Sequence, residues 1–421
     1  ECTRLLAAKA ITRARDFGGK SALIWAAISG SSACTQVLVE ANAHTDLKDD
    51  DGYTALMWAA MNNNAACLHV LIENKANLEM KDSCGNTALI WAVINSHTAS
   101  TQRLIDAKAD TEARDKKYGR SALIWAAVEN RAECAQLLVA SKADTQARDA
   151  EYDRTALIWA VMKDHANCVQ VLVDNGADTE AKDNTHRTAL LWAARDGHAA
   201  CAQVLVNAKA DIEAKGDGRK TPLIWSVVHD HPACTEVLVA AKADLAAKST
   251  ESYTALMWAA VYGLAACAQV LINGGANIDT RDKDGSTELM IAVYTGHLAC
   301  AQLLIDGRAD VRAKDNLGNT PLMKAALNGH TQCVQLLIDA KANVENTDDS
   351  GKSALIYAAM SGHTACTQVL VDSTKTEAGM EARDERFGRT AAVWAANDGH
   401  TACVRVLAQA KADLNSADHY G

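Results

Sequence analysis

Proline is almost missing from this chain, at three in 421 residues, and phenylalanine is rarer still at two. Aromatic residues make up 5% of the total, nine of them Trp, which is too sparse a set for the interior of one large globular core. Positive charge is in deficit: 42 Lys plus Arg face 52 Asp plus Glu, a net charge of −10. The charges alternate along stretches such as AKADTEARD at 107–115 instead of collecting into a basic stripe. That pattern excludes nucleic acid and anionic membrane as partners, and no membrane insertion of this segment is expected.

Catalytic signatures are missing too. No H-E-x-x-H, G-x-S-x-G or G-x-G-x-x-G occurs. GGKS at 18–21 and GKS at 351–353 look like the end of a phosphate loop, but Ala14 and Asn346 stand where its first Gly is required. DKDG at 282–285 lacks a calcium loop's first Asp and last Glu, since Thr280 and Ile291 occupy those places. The expectation is a non-enzyme with no cofactor and no metal.

One apolar phrase with Trp inside it, TALIWAV at 155–161 and TALLWAAR at 188–195, returns along the whole chain. Its first residue is Ser21, Thr54, Thr87, Ser121, Thr155, Thr188, Thr221, Thr254, Thr287, Thr320, Ser353 and Thr390, at steps of 33 or 34 residues and a last step of 37. A fixed period of this size marks a repeat architecture. Pro222 and Pro321 follow the Thr directly, where the first turn of a helix tolerates proline, so the Ser or Thr reads as an N-cap. Each unit then gives a short helix, a second amphipathic helix such as HAACAQVLVNA at 198–208, and a polar connection.

This order and period resemble the ankyrin repeat. The family's T-P-L-H-x-A-A is matched as T-A-L-[IM]-W-A-A, followed by GH and ADxEAKD. The resemblance implies an all-α helix-turn-helix solenoid with short hairpin loops at right angles to the helices, forming a curved superhelix. Twelve repeats are expected over 16–417, starting near 16, 49, 82, 115, 149, 183, 216, 249, 282, 315, 348 and 384. At about 8–10 Å per stacked pair the rod would be on the order of 100 Å long. Residues 1–15 read as the second half of a preceding repeat and 418–421 as the start of another, an array without caps that suggests a longer protein.

Two departures from the family pattern stand out. The His of T-P-L-H is replaced by apolar residues such as Ile24, Met57, Ile90, Leu191 and Val393. The Gly after the second helix is often Lys (Lys75, Lys108, Lys142, Lys209, Lys242, Lys341, Lys411), although Gly176 and Gly275 keep it. A Lys in the left-handed C-cap conformation carries a strain on the order of 1 kcal/mol.

Twelve of the 13 Cys share one position in the second helix, and Cys84 alone lies in a connection. They fall on the face that carries Val and Leu three and four residues later, and stacked helices hold them beyond the ~7 Å reach of a disulfide. They read as small buried hydrophobes. Free thiols and an odd count favour a reducing, intracellular and cytoplasmic setting. His97, His165, His198, His231, His297, His330, His363 and His400 share one loop position, and a column spaced by whole repeats cannot surround one metal ion.

Counting ~100° per residue from the Thr, the Leu at +2 and the Ala at +5 and +6 cluster on one face and the Trp at +4 lies ~150° away. Trp25, Trp58, Trp91, Trp125, Trp159, Trp192, Trp225, Trp258 and Trp394 thus form a ladder, with Ile291, Lys324 and Tyr357 standing in at the remaining rungs, and the resemblance to ankyrin repeats implies that this side is the concave one. Such a ladder is either an apolar seam between repeats or the floor of a groove that takes a partner's side chains. The functional expectation is a protein-binding scaffold that presents this groove, Tyr357 included, to one or more proteins. The alternatives are a structural spacer or peripheral subunit of a larger complex, and a regulatory arm of an enzyme or channel whose other domains lie elsewhere.

Overall fold

Short helix pairs follow one another from Ala22 to Gln409, twelve in number. The computed structural model describes residues 14–420. The expected half-repeat at the start, with Cys2, therefore lies almost wholly outside the described residues. The chain divides into two units, Glu1–Ala214 and Lys215–Gly421, and six pairs fall in each. Among the described residues there is no strand, only three isolated bridges at the feet of turns: Arg15 with Ser21, Arg148 with Thr155 and Thr347 with Ser353.

The first helix of a pair spans seven or eight residues and the second nine or ten, as in Ala156–Met162 and Ala166–Asp174. Each first helix starts at the repeated Ser or Thr. Its hydroxyl accepts the amide three residues on at 3.2–3.5 Å in all twelve, which satisfies one of the orphan amides of a helix start. In the unit's first helices, Leu157, Ile158, Ala160 and Val161 are all buried. The residue that replaces the family His thus joins the core, as Ile24, Met57, Ile90 and Leu191 also do. The extra residues of the 37-residue step form a separate turn of helix, Glu377–Met380.

The chain turns left-handed after the second helix at every Lys named above, with φ between 60° and 69°. Gly176 and Gly275 hold the same place at 80° and 87° with nothing within 4 Å of where a Cβ would sit, so only backbone strain separates the two residue types there.

Neighbouring pairs within a unit are tied through their connections. Turn amides donate to the preceding turn, as Lys116 does to Cys84 O and Asn316 to Asp284 O, at 2.8 and 3.0 Å. The base in AKD or ARD reaches forward one repeat to a carbonyl: Lys81 Nζ to Arg114 O at 2.8 Å, Arg148 to Lys182 O at 2.6 Å, Lys314 Nζ to Thr347 O at 3.0 Å. The charged rows therefore work mainly as donors to backbone, a role that salt screens less than it screens exposed ion pairs.

Candidate interaction surface

The Trp side chains do not stand free. Each indole of the first unit donates Nε1–H to the Asp that opens its own turn, nine or ten residues earlier: Trp25 to Asp16, Trp58 to Asp49, Trp91 to Asp82, Trp125 to Asp115, Trp159 to Asp149 and Trp192 to Asp183, at 2.8–3.0 Å. The same carboxylate closes the turn by accepting backbone amides, as Asp82 does from Asn86 at 2.8 Å and Asp149 from Arg154 at 2.9 Å. One acid thus fixes both the connection and the ring of the following helix. Asp49, Asp82, Asp115, Asp149 and Asp183 are buried, and a buried carboxylate persists only when it is so satisfied.

A second residue completes the arrangement. The one just before the Ser or Thr lies against the rings of its own and the next repeat. Arg120 sits over Trp125 and Trp159 with its guanidinium carbon 4.9 and 4.4 Å from the ring centres, and Arg154 over Trp159 and Trp192 at 4.9 and 5.2 Å. Arg154 Nε also reaches Asp183 at 3.3 Å. Tyr53 fills the same place between Trp58 and Trp91, edge-on to both at 5.3 and 5.8 Å. Burial by itself would push the Asp183 carboxyl up. Hydrogen bonds from Thr185, Arg187 and Arg154 outweigh it and hold the group below the ordinary carboxylate range.

The second unit repeats this with gaps. Trp394 finds Asp384 at 3.2 Å. Where Trp is replaced, Lys324 Nζ meets Asp315 at 2.8 Å and the Tyr357 hydroxyl donates to Asp348 at 2.6 Å. Gly216 and Ser249 stand where Asp belongs, and the buried Trp258 Nε1 is left without a hydrogen-bond acceptor. Ile291 brings no donor to Asp282.

Exposure sorts the expected groove residues. Trp25 is 50% exposed; Trp58, Trp91, Trp125, Trp225 and Tyr357 are partly so. Trp159 and Trp192 show 7% and 5%, and Trp258 and Trp394 are likewise buried. Outside the predicted set, Tyr262 stacks on Trp258 at 5.5 Å and 13°, and His229 on Trp225 at 5.4 Å and 20°. Tyr262 and Tyr294 are both about half exposed.

The two other recurring residues take plain structural places. Ring nitrogens of His165, His297, His330, His363 and His400 lie 2.9–3.1 Å from a carbonyl at the end of the preceding pair's first helix. Asn64 and Arg131 do the same from the same loop position. The described cysteines are free; Cys34 is partly covered, Cys84 exposed and the rest buried. Burial pushes the thiols of Cys168 and Cys300 up to about 11, which keeps them protonated and slow to react. Among the described residues no group of His, Cys, Asp and Glu could hold a metal ion, and no helix is long and apolar enough to cross a membrane.

A stack of helix pairs with capped short helices and acid-closed turns defines a repeat solenoid. The profile of ankyrin repeats (three copies) matches segment after segment over 1–82, 74–149, 148–216, 213–282, 256–348, 289–384 and 340–418. The chain belongs to the ankyrin-repeat family, whose members generally serve in protein–protein interaction as non-catalytic scaffolds. Among solved structures it is similar to the ankyrin repeat domain of Bcl-3, described as a unique member of the IkappaB protein family, at 27% identity and a TM-score of 0.46 over 49% of this chain and 93% of that one. No curated protein matches it.

Sequence reasoning missed the Asp partner of the ladder. A signal existed: an Asp nine or ten residues before each Trp of the first unit, and donors, Lys324 and Tyr357, at two of the three rungs where Trp is absent.

Proposed function

We propose that the chain is a protein-binding scaffold of the cell interior, whose partners lie along the face that carries the Trp column. Trp25, Trp58, Trp91, Trp125, Trp225 and Tyr357 would meet the partner with their open edges, while Trp159, Trp192, Trp258 and Trp394 serve as seam. The observation that carries the reading is the outer tier of aromatic residues. Tyr262 and Tyr294 leave about half of their surface to water on successive first helices, and exposed tyrosines grouped in this way are characteristic of recognition surfaces. Buried protonated thiols support a reducing compartment.

Two double variants test it. Tyr262→Ser with Tyr294→Ser should lose proteins that the native chain retains from its own cell extract after a high-salt wash, with thermal unfolding unchanged. Trp159→Phe with Trp192→Phe should lower thermal stability, because two buried carboxylates lose their donors. Retention that is indifferent to the tyrosine pair, in a chain still folded, would reject this face as the recognition surface.

A further inference from the structure

The ladder has one rung where acceptor and walls are present but the ring is not. In the first unit Tyr53 stands edge-on to Trp58 and Trp91, and Trp91 Nε1 donates to Asp82 at 2.9 Å. In the second unit Tyr253 takes the place of Tyr53 and packs edge-on to Trp258 at 5.3 Å. Asp282 takes the place of Asp82, and its Oδ1 closes the turn by accepting the amides of Asp284 and Ser286 at 2.9 and 2.8 Å. Where Trp91 would follow stands Ile291, whose side chain has no donor and no second ring.

The consequence is an open cavity of about 400 Å³ walled by Tyr253, Ile291, Tyr294 and Met290, with Asp282 and Lys324 at its polar edge. Lys324 is engaged with Asp315 at 2.8 Å, and Asp282 Oδ2 receives no hydrogen bond among the described residues. Asp282 is partly exposed, unlike Asp82 in the filled version. The field at the cavity is negative: after burial, the Asp282 and Asp284 carboxylates are the next causes that raise the Tyr253 hydroxyl's pKa.

We infer that this cavity binds a tryptophan side chain from a partner polypeptide, its ring between Tyr253 and Ile291 and its indole N–H donated to Asp282 Oδ2. The chain displays the bound geometry itself, in Tyr53, Trp91 and Asp82. Aromatic pairing and a hydrogen bond to a charged acceptor in a sheltered site together select indole over a plain phenyl ring, which has no donor, and over a guanidinium, which fills less of the apolar wall. The inference depends on the protein-binding reading only for the source of the indole.

The test therefore uses a small probe in place of a partner. N-acetyl-L-tryptophanamide is titrated into the whole chain, labelled at the isoleucine δ-methyl groups, and the Ile291 methyl resonance is followed. It should shift saturably, and the phenylalanine and arginine analogues should bind about tenfold more weakly, the worth of one hydrogen bond to a charged group. Asp282→Asn keeps an oxygen for the turn amides but turns an N–H towards the probe, and should lose about tenfold in affinity. Ile291→Trp should fill the cavity from within, abolish binding and leave the melting temperature no lower. Failure of the Ile291 methyl to shift, equal binding of the phenylalanine or arginine analogue, or undiminished binding to either variant overturns the inference. None of these results bears on whether the chain retains proteins through its outer tyrosines.

Discussion

Every Trp in residues 14–214 donates to an Asp of its own turn, whereas in 215–420 Trp394 does so, the buried Trp258 does not, and Lys324 and Tyr357 stand in at two other rungs. The helix pairs are alike in length and capping in both units. The difference lies in the polar column, and it shows that apolar stacking and helix capping suffice to build the repeat whether or not its Trp and Asp pair is complete. Where Arg120 and Arg154 bridge the rings, Trp159 and Trp192 are covered, whereas Trp25 keeps its bond to Asp16 and is 50% exposed. Where the Trp gives way to Ile291, a cavity and exposed tyrosines appear.

Glu288 should produce the largest effect. It occupies the first helical position, held by Ala in most repeats, and is 0% exposed. Thr280 donates to one of its oxygens and the other has no partner. Desolvation pushes its pKa from 4.5 up to about 8. The folded state keeps the proton that the unfolded chain releases, so the associated stability is full below the unfolded value and is lost as pH rises through the folded one. The second unit should weaken between about pH 4.5 and 8. Glu288→Ala should remove that slope and add on the order of 3–5 kcal/mol at pH 8. Urea unfolding at both ends of the window decides it: an unchanged difference between the two pH values in the variant would exclude Glu288 as its source.

The next effect belongs to the first unit and has the opposite sense. Asp183→Ala strands the Trp192 N–H, the Arg154 guanidinium and the turn amides together, and should cost about 2–4 kcal/mol. Because the Asp183 pKa is depressed, its contribution is complete above the ordinary carboxylate value and vanishes as pH falls through the folded one. Guanidinium unfolding at neutral pH and near pH 3 should therefore show the variant's deficit shrinking in acid. A deficit independent of pH would mean that packing, and not charge, is lost.

Repairing a gap should work in reverse. Ser249→Asp gives the buried Trp258 N–H an acceptor, with Lys220, 5.2 Å from that ring and now paired with Glu251 at 3.7 Å, to be shared with the new acid as Lys20 serves Trp58 and Asp49. A gain of about 1–2 kcal/mol is expected, visible as a higher melting temperature. A loss would show that the second unit has adapted to the missing acid.

The smallest effects compare the C-caps. Lys142→Gly in one unit and Gly275→Lys in the other should be mirror images of about 1 kcal/mol each, since nothing crowds Gly275. If both are neutral in denaturant unfolding, the left-handed lysines are relieved by contacts of their own.

Much of this architecture could be read from the residues. The repeated Ser or Thr, its spacing, the cysteines on the leucine face and the left-handed lysines all rest on local rules, and each is found where those rules place it. The wheel set the Trp apart from the Leu and Ala face, yet Trp159, Trp192, Trp258 and Trp394 are buried all the same; the wheel holds only the helix, and the acid that receives the indole belongs to the turn before it. A bond that joins two kinds of structure has no period of its own. Glu288 escaped notice for a related reason: one acid at the start of a short helix looks like a favourable charge at an N-terminus, and only packing shows it to be enclosed.

The reach of the Trp and Asp bond bears on how such a chain can lengthen. Donor and acceptor lie within a single period, so a copied repeat carries both halves of the pair and is satisfied wherever it is inserted. The basic residue before the Ser or Thr looks across the boundary, to the acid of the following repeat, and is the part that a new junction can mismatch. Lys220, facing Ser249 where others of its kind face an Asp and paired with Glu251 at 3.7 Å instead, has the form of such a junction, and gains by whole-repeat duplication should be recognisable by bases re-paired in this way.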